Sequence, residues 1–128
     1  MPTFVPLFHS MDEGLSTNRQ GLQRRLDEAA ILRDTVAQLR KDLDLPDLEE
    51  PQLGEGAFEA LRAQVLAWLE ARAAGNSPAL SRAINRVDLT ERQVDAATGR
   101  GGLPELAGAM VLRCLQKVLL RRHFSGGA

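Results

Sequence analysis

The sequence has only one cysteine, Cys114, so it cannot form an intramolecular disulfide bond. Its N-terminus lacks the basic start and the apolar stretch of roughly 7 to 15 residues that mark a secretory signal. It also lacks any apolar run near the roughly 20 residues that a helix needs to cross a bilayer. We therefore expect a protein of the reducing cytoplasm that does not span a membrane.

Aromatic residues are scarce as well, with four Phe, one Trp and no Tyr among 128 residues. The core must then be built mainly from Leu, Val and Ala, which together with Glu, Arg and Gln favour helix over strand. No sustained alternation of apolar and polar residues indicates a strand. These features predict an all-α protein of the size of one domain.

No residue pattern indicates a catalytic centre, a cofactor site or a metal site. Cys114 lies in an apolar stretch without a neighbouring base, which is typical of packing rather than of a nucleophile. His9 and His123 stand near opposite ends of the chain, and with one cysteine they do not form a zinc signature. We expect neither enzymatic activity nor a cofactor, and keep an enzyme as a less favoured alternative.

Charge is nearly balanced overall, at −1, but it is divided along the chain. Residues 1–56 contain 6 basic and 11 acidic residues, whereas residues 57–128 contain 10 basic and 6 acidic residues. Such an asymmetry can steer a partner, or pair the two parts with each other or with a second copy.

The division coincides with an acidic segment whose prolines, Pro46 and Pro51, prevent a helix from continuing. The like charges of this segment repel one another and favour an extended linker. The sequence thus predicts a long amphipathic N-terminal helix joined by an acidic Pro/Gly linker to a small four-helix C-terminal bundle. The predicted parts are an extended arm at 1–14, a long coiled-coil-like helix at 15–45, the acidic linker at 46–56, the helical bundle at 57–124 and a tail at 125–128.

The N-terminal helix carries an apolar stripe that, with Ala29 included, has a mean spacing of about 3.5 residues, the period of a coiled coil. This period keeps one face of a helix against a partner helix. Phe4 and Phe8 add large apolar groups to the arm before it. We expect these two residues and the stripe to bind a protein partner or a second copy of the chain. The stripe residues predicted to make contact are Leu22, Leu26, Leu32, Val36, Leu39 and Leu43.

The C-terminal bundle has clear start signals and one very apolar helix. Thr90 and Gln93 have the spacing of a capping box and predict the start of a short helix that reaches Thr98 before a glycine-rich run breaks it. A last helix, from Pro104 to about Phe124, leaves only a narrow polar strip, and we expect it to be the centre of the core. The two earlier helices are predicted at residues 57–74 and 78–87.

The same short helices allow a DNA-binding alternative. Residues 89–94 (LTERQV), with Leu103, Glu105, Leu106 and Ala107 after a glycine turn, resemble the first helices of response-regulator-type DNA-binding domains. This resemblance implies a helix-turn-helix, in which basic side chains of the C-terminal helices contact nucleic acid. The cations of the last helix could instead contact an acidic partner, or only stabilise the helix end. The candidate contact residues are Arg100, Arg113, Lys117, Arg121 and Arg122.

The favoured hypothesis is a non-enzymatic protein-protein interaction module, because a heptad-like stripe has few obvious partners inside so small a chain. The module would be an adaptor, a subunit of a larger assembly, or a homo-oligomer formed through the N-terminal helix. Glutamate at positions 32 and 39 should then dissociate a complex, whereas unfolding of the whole chain would place the stripe in an intramolecular core.

Overall fold

The computed structural model describes residues 19–74 and 78–124, with only the backbone at positions 19 and 20. Over these ranges every regular element is helical and no strand occurs, so the all-α prediction is confirmed. In the same ranges no helix offers an apolar surface long enough to pass through a membrane. The α-helices are α1 (Arg19–Arg24), α2 (Ala29–Leu43), α3 (Ala57–Ala74), α4 (Pro78–Val87), α5 (Glu91–Gly101) and α6 (Leu103–Phe124).

The last helix, α6, is the centre of the core, as its composition predicts. It contacts each of the other five helices of the described ranges. Apolar side chains on most of its faces make this position favourable, since a helix that is hydrophobic nearly all round is stable only when it is surrounded. Its buried residues are Leu106, Ala107, Gly108, Met110, Val111, Leu112, Cys114, Leu115 and Val118.

The stripe of the N-terminal helix packs into this same core. Helix α2 lies against α6 and α4, and all six predicted stripe residues are at most 5% exposed. They belong to one continuous apolar cluster with the residues of α3 and α6. The described chain therefore forms one core rather than a helix beside a separate bundle, because its own C-terminal helices cover the stripe.

The N-terminal helix is interrupted, in contrast to the continuous helix predicted at 15–45. After α1 comes a single 3₁₀ turn at Arg25–Asp27, and Glu28 then takes an extended conformation with φ −95° and ψ 121°. Across this break Arg25 Nε donates a hydrogen bond of 2.7 Å to Glu28 Oε2. The interruption changes the apolar register, since Ala29 is exposed and Ile31 is buried in the core. The part of the prediction that concerns residues 1–18 lies outside the described residues.

The acidic segment between α2 and α3 is bound to the core. Leu48 is buried within the segment, and Arg40 Nε donates a hydrogen bond of 2.9 Å to its carbonyl oxygen. Gln64 of α3 accepts from the backbone N–H of Glu49 and donates to its backbone carbonyl, both at 2.9 Å. The segment forms no helix between α2 and α3, but a buried leucine and hydrogen bonds to its backbone hold it against the core despite the repulsion of its acidic side chains.

Helix α5 begins at the capping box that the sequence predicts. The backbone N–H of Gln93 donates to Thr90 Oγ1 at 3.1 Å, and the backbone N–H of Thr90 donates to Gln93 Oε1 at 2.9 Å. The two bonds satisfy donors that a helix start otherwise leaves without partners. The helix then continues through Gly99, ends at Gly101 and is capped by Gly102, whose φ of +74° suits glycine. The glycine-rich run thus ends α5 later than the sequence indicates.

Replacement of Thr90 by alanine is expected to lower the free energy of unfolding by about 1 kcal/mol, because the N–H of Gln93 loses its side-chain acceptor. Urea denaturation followed by circular dichroism measures this change. Thr90→Ser keeps the hydroxyl and serves as the matched control, so it should retain most of the stability. Equal stability of the two variants would show that the cap contributes nothing.

Candidate functional site

A partly buried ion pair lies where α2, α4 and α6 meet. The carboxylate of Asp42 belongs to a residue that is only 5% exposed, and Lys117 Nζ donates to its Oδ2 at 2.8 Å. The same Nζ donates to the backbone carbonyl of Arg86 at 2.8 Å. Gln38 Nε2 lies 3.0 and 3.1 Å from the two carboxylate oxygens. Four short contacts thus satisfy charges that would be costly to bury alone.

The only thiol of the chain belongs to this cluster. Cys114 Sγ lies 3.6 Å from Asp42 Oδ2 and is fully buried. Burial raises the pKa of the Cys114 thiol well above its ordinary value, and the charge of Asp42 raises it further, against a partial offset from Lys117. The thiol therefore stays protonated at neutral pH, whereas a nucleophilic cysteine reacts as the thiolate.

Beside the ion pair, α2, α3 and α4 surround a cleft of about 230 Å³. We call it the arginine cleft, because Arg72, Arg82 and Arg86 line it. Arg82 and Arg86 are one turn apart on α4 and share a face of that helix. The other residues that line the cleft are Asp42, Leu43, Asp44, Trp68, Ala79 and Ala83.

The three arginines of the cleft form no ion pair with any described residue. The guanidinium carbon of Arg72 stands 5.1 Å from the centroid of the Trp68 ring, which is a cation–π contact. Trp68 is itself 6% exposed, and its indole Nε1 is buried without a hydrogen-bond partner in the described part of the chain. The cleft therefore holds three guanidinium groups that have no carboxylate partner among the described residues.

The five basic residues predicted to contact nucleic acid or an acidic partner lie elsewhere, and each interacts with another side chain of this protein. Three of these pairs join α6 to α2, one joins α6 to the residue that follows α4, and one joins α5 to α6. The pairs are Arg100 with Glu105, Arg113 with Asp88, Lys117 with Asp42, Arg122 with Asp34, and Arg121 with the side-chain oxygen of Gln38.

The residues of the arginine cleft were not among the candidates from sequence. One signal was available, since Arg82 and Arg86 have the i, i+4 spacing that places two cations on one face of a short helix. No sequence signal associates Arg72 with them, because Arg72 belongs to a different helix, α3. Their grouping depends on how α3 packs near α4, which is a tertiary contact.

The predicted partner-binding residues have two different outcomes. The six stripe residues are in the core, so the described structure leaves their side chains no surface for a second protein. Phe4 and Phe8 lie outside the described residues. Large apolar side chains that are exposed in the described ranges are instead Leu53, Leu120 and Phe124.

Two of these exposed apolar residues are one helical turn apart at the end of α6. Leu120 is 41% exposed and Phe124 is 79% exposed. The i, i+4 spacing places both on one face of the helix, and the ring of His123 packs edge-on against Phe124 at 5.0 Å. We call this pair the α6 apolar end.

Comparison of the chain with protein-family models, with curated proteins and with solved structures finds no match.

Proposed function

We propose that the protein is a non-enzymatic protein-protein interaction module whose partner binds the α6 apolar end. The observation that carries this proposal is the exposure of Leu120 and Phe124 on the same face of one helix. A single exposed apolar side chain is common on protein surfaces, but adjacent large ones favour a binding role. Burial of both side chains against a partner would remove their apolar area from water, which is the main driving force for association.

The surroundings of the pair indicate the chemistry of the partner. Arg121, Arg122 and His123 are exposed beside it, and aromatic and arginine side chains are the types enriched in protein interfaces. Arg122 is close to half exposed although it pairs with Asp34, so it remains accessible to a second carboxylate. A partner with an apolar pocket and an acidic rim would complement this end of α6.

The stripe of the N-terminal helix is not the contact surface in this proposal. Self-association through that stripe would require its six residues to leave a continuous core. The DNA-binding alternative draws no support from the position of α6, since a recognition helix must place an exposed face in the major groove. The centre of a core is an unfavourable place for such a helix.

The combined change Leu120→Ser and Phe124→Ser is expected to weaken partner binding strongly while the fold remains. Removal of an aromatic anchor commonly weakens binding by about 2 kcal/mol or more, which is about 30-fold. Chemical cross-linking in host cells, followed by quantitative mass spectrometry, identifies proteins joined to this region, and titration of a purified partner then gives the affinity.

The matched control is Leu53→Ser, which removes the third exposed large apolar side chain from a different surface. The free energy of unfolding of both variants should lie within about 0.5 kcal/mol of that of the unchanged protein, because all three residues are exposed. Equal affinity of the partner for the unchanged protein and for the Leu120/Phe124 variant would contradict the proposal. Light scattering of both samples also reports whether the partner is a second copy of the chain.

A further inference from the structure

We propose that the arginine cleft is a binding site for a phosphate monoester group. This site is separate from the α6 apolar end and does not depend on the interaction proposed there. It consists of Arg72, Arg82 and Arg86, with Trp68 in its wall. Three features of the cleft point to this ligand, namely its charge, its hydrogen-bond donors and its size.

The charge of the cleft matches a dianion. Its three arginines are opposed by two acidic residues, but Asp42 is already neutralised by Lys117 at 2.8 Å. Asp44 is exposed and pairs with no cation of the described chain, so it is the one acid left to offset the arginines. The three arginines and Asp44 together give the cleft a net charge of +2. A phosphate monoester carries roughly −1.5 to −2 at neutral pH, whereas a carboxylate carries −1 and would leave the cleft positive.

The donors of the cleft suit the oxygens of a phosphate. Planar guanidinium groups donate paired hydrogen bonds to phosphate oxygens, and Arg82 and Arg86 present two such groups from one face of α4. The third group comes from α3, where Arg72 lies over the ring of Trp68. Arg72 therefore completes a set of three guanidinium groups that reach the cleft from two helices.

The size of the cleft restricts what the phosphate can be attached to. A volume of about 230 Å³ is smaller than the roughly 300 to 1,000 Å³ typical of pockets for larger organic ligands. Trp68 is almost fully buried and its ring is covered by Arg72, so it offers no exposed face on which a base could stack. The cleft is therefore suited to a phosphate on a small carrier, such as a small soluble ester or a phosphorylated side chain, and not to a nucleotide.

Trp68 allows binding to be measured directly, because it is the only tryptophan in the chain and lines the cleft. Titration of the unchanged protein with inorganic phosphate, glycerol 1-phosphate or a phosphoserine peptide should change its fluorescence. Calorimetry should give a dissociation constant below about 1 mM for at least one of the two esters. The unphosphorylated peptide should not bind. Tighter binding of glycerol 1-phosphate identifies a soluble ester as the source, and tighter binding of the phosphopeptide identifies a phosphorylated protein segment.

The double variant Arg82→Gln and Arg86→Gln should weaken ester binding by about tenfold or more, since it removes two charge-assisted donors. Both residues are exposed, so the variant should fold, and circular dichroism checks this. Arg92→Gln is the matched control. Arg92 is an exposed arginine of α5 that does not line the cleft, and its loss should leave the affinity unchanged.

A second variant tests the proposal through a gain in affinity, which loss of structure cannot imitate. Asp44→Asn removes the opposing charge, and asparagine tolerates the left-handed conformation of this residue, whose φ is 54°. Ester binding should tighten by roughly two- to fivefold at low ionic strength. The proposal is overturned if neither ester binds, or if Arg92→Gln weakens binding as much as the double variant. It is also overturned if Asp44→Asn leaves the affinity of a bound ester unchanged.

Discussion

Replacement of Leu32 and Leu39 by glutamate is expected to unfold the whole chain. Both side chains are at most 1% exposed and belong to the central apolar cluster. Loss of one buried leucine commonly costs about 3 to 5 kcal/mol, and the carboxylate adds the cost of burying a charge without a partner. Because small domains are stable by only about 5 to 15 kcal/mol, two such changes should exceed the available stability. Circular dichroism should show loss of helix, and light scattering reports the mass of what remains.

The matched control places two glutamates on the exposed face of the same helix. Ala30 and Ala37 are both exposed, so Ala30→Glu with Ala37→Glu adds the same charge without disturbing the core. This control should stay folded, with stability close to that of the unchanged protein. If the Leu32 and Leu39 variant instead keeps its helix and light scattering shows only a smaller mass, the stripe is an interface, as predicted from the sequence.

Lys117→Met is expected to lower the free energy of unfolding by about 3 kcal/mol. Methionine retains most of the volume of lysine but removes the cation, which leaves the carboxyl group of Asp42 almost fully buried without its cationic partner. Breaking a buried pair from one side costs about 3 to 5 kcal/mol, and the partial exposure of Lys117 places the expected value at the lower end. The backbone carbonyl of Arg86 loses the same donor. Urea denaturation followed by circular dichroism measures the change.

Two further variants separate loss of the pair from loss of a lysine. Lys41→Met removes an exposed lysine of α2 and should change stability by no more than about 0.5 kcal/mol. In the double variant Lys117→Met with Asp42→Asn, no buried charge remains, so much of the lost stability should return. If Lys117→Met is no more destabilising than Lys41→Met, the pair does not contribute to the fold.

Features that depend on neighbours three or four residues apart could be predicted from the sequence. Thr90 and Gln93 form their capping box within a single turn, so no distant contact is needed to decide it. The apolar composition of α6 likewise predicts its central position, since a helix without a broad polar face must be surrounded. The sequence does not predict the break at Glu28, because no residue comparable to proline or glycine marks its extended backbone.

The candidate sites depend even more strongly on contacts between residues that are distant in the sequence. Arg113 and Lys117 are exposed cations by sequence pattern, yet the fold brings Asp88 and Asp42 to them from distant positions. The arginines that remain without ion pairs in the cleft carry no distinguishing pattern apart from the spacing of Arg82 and Arg86. Which cation meets a carboxylate depends on the packing of helices, and residue type alone cannot predict it.

By itself, the sequence determined that this protein is helical, where several helices begin, and which residues have apolar faces. These properties follow from local hydrogen bonds and from the 3.6-residue period of the helix. Only the tertiary structure decided what covers each face. An apolar stripe is buried equally well by a second copy or by the same chain, and here α4 and α6 bury it. The surfaces left for partners are therefore the end of α6 and the arginine cleft.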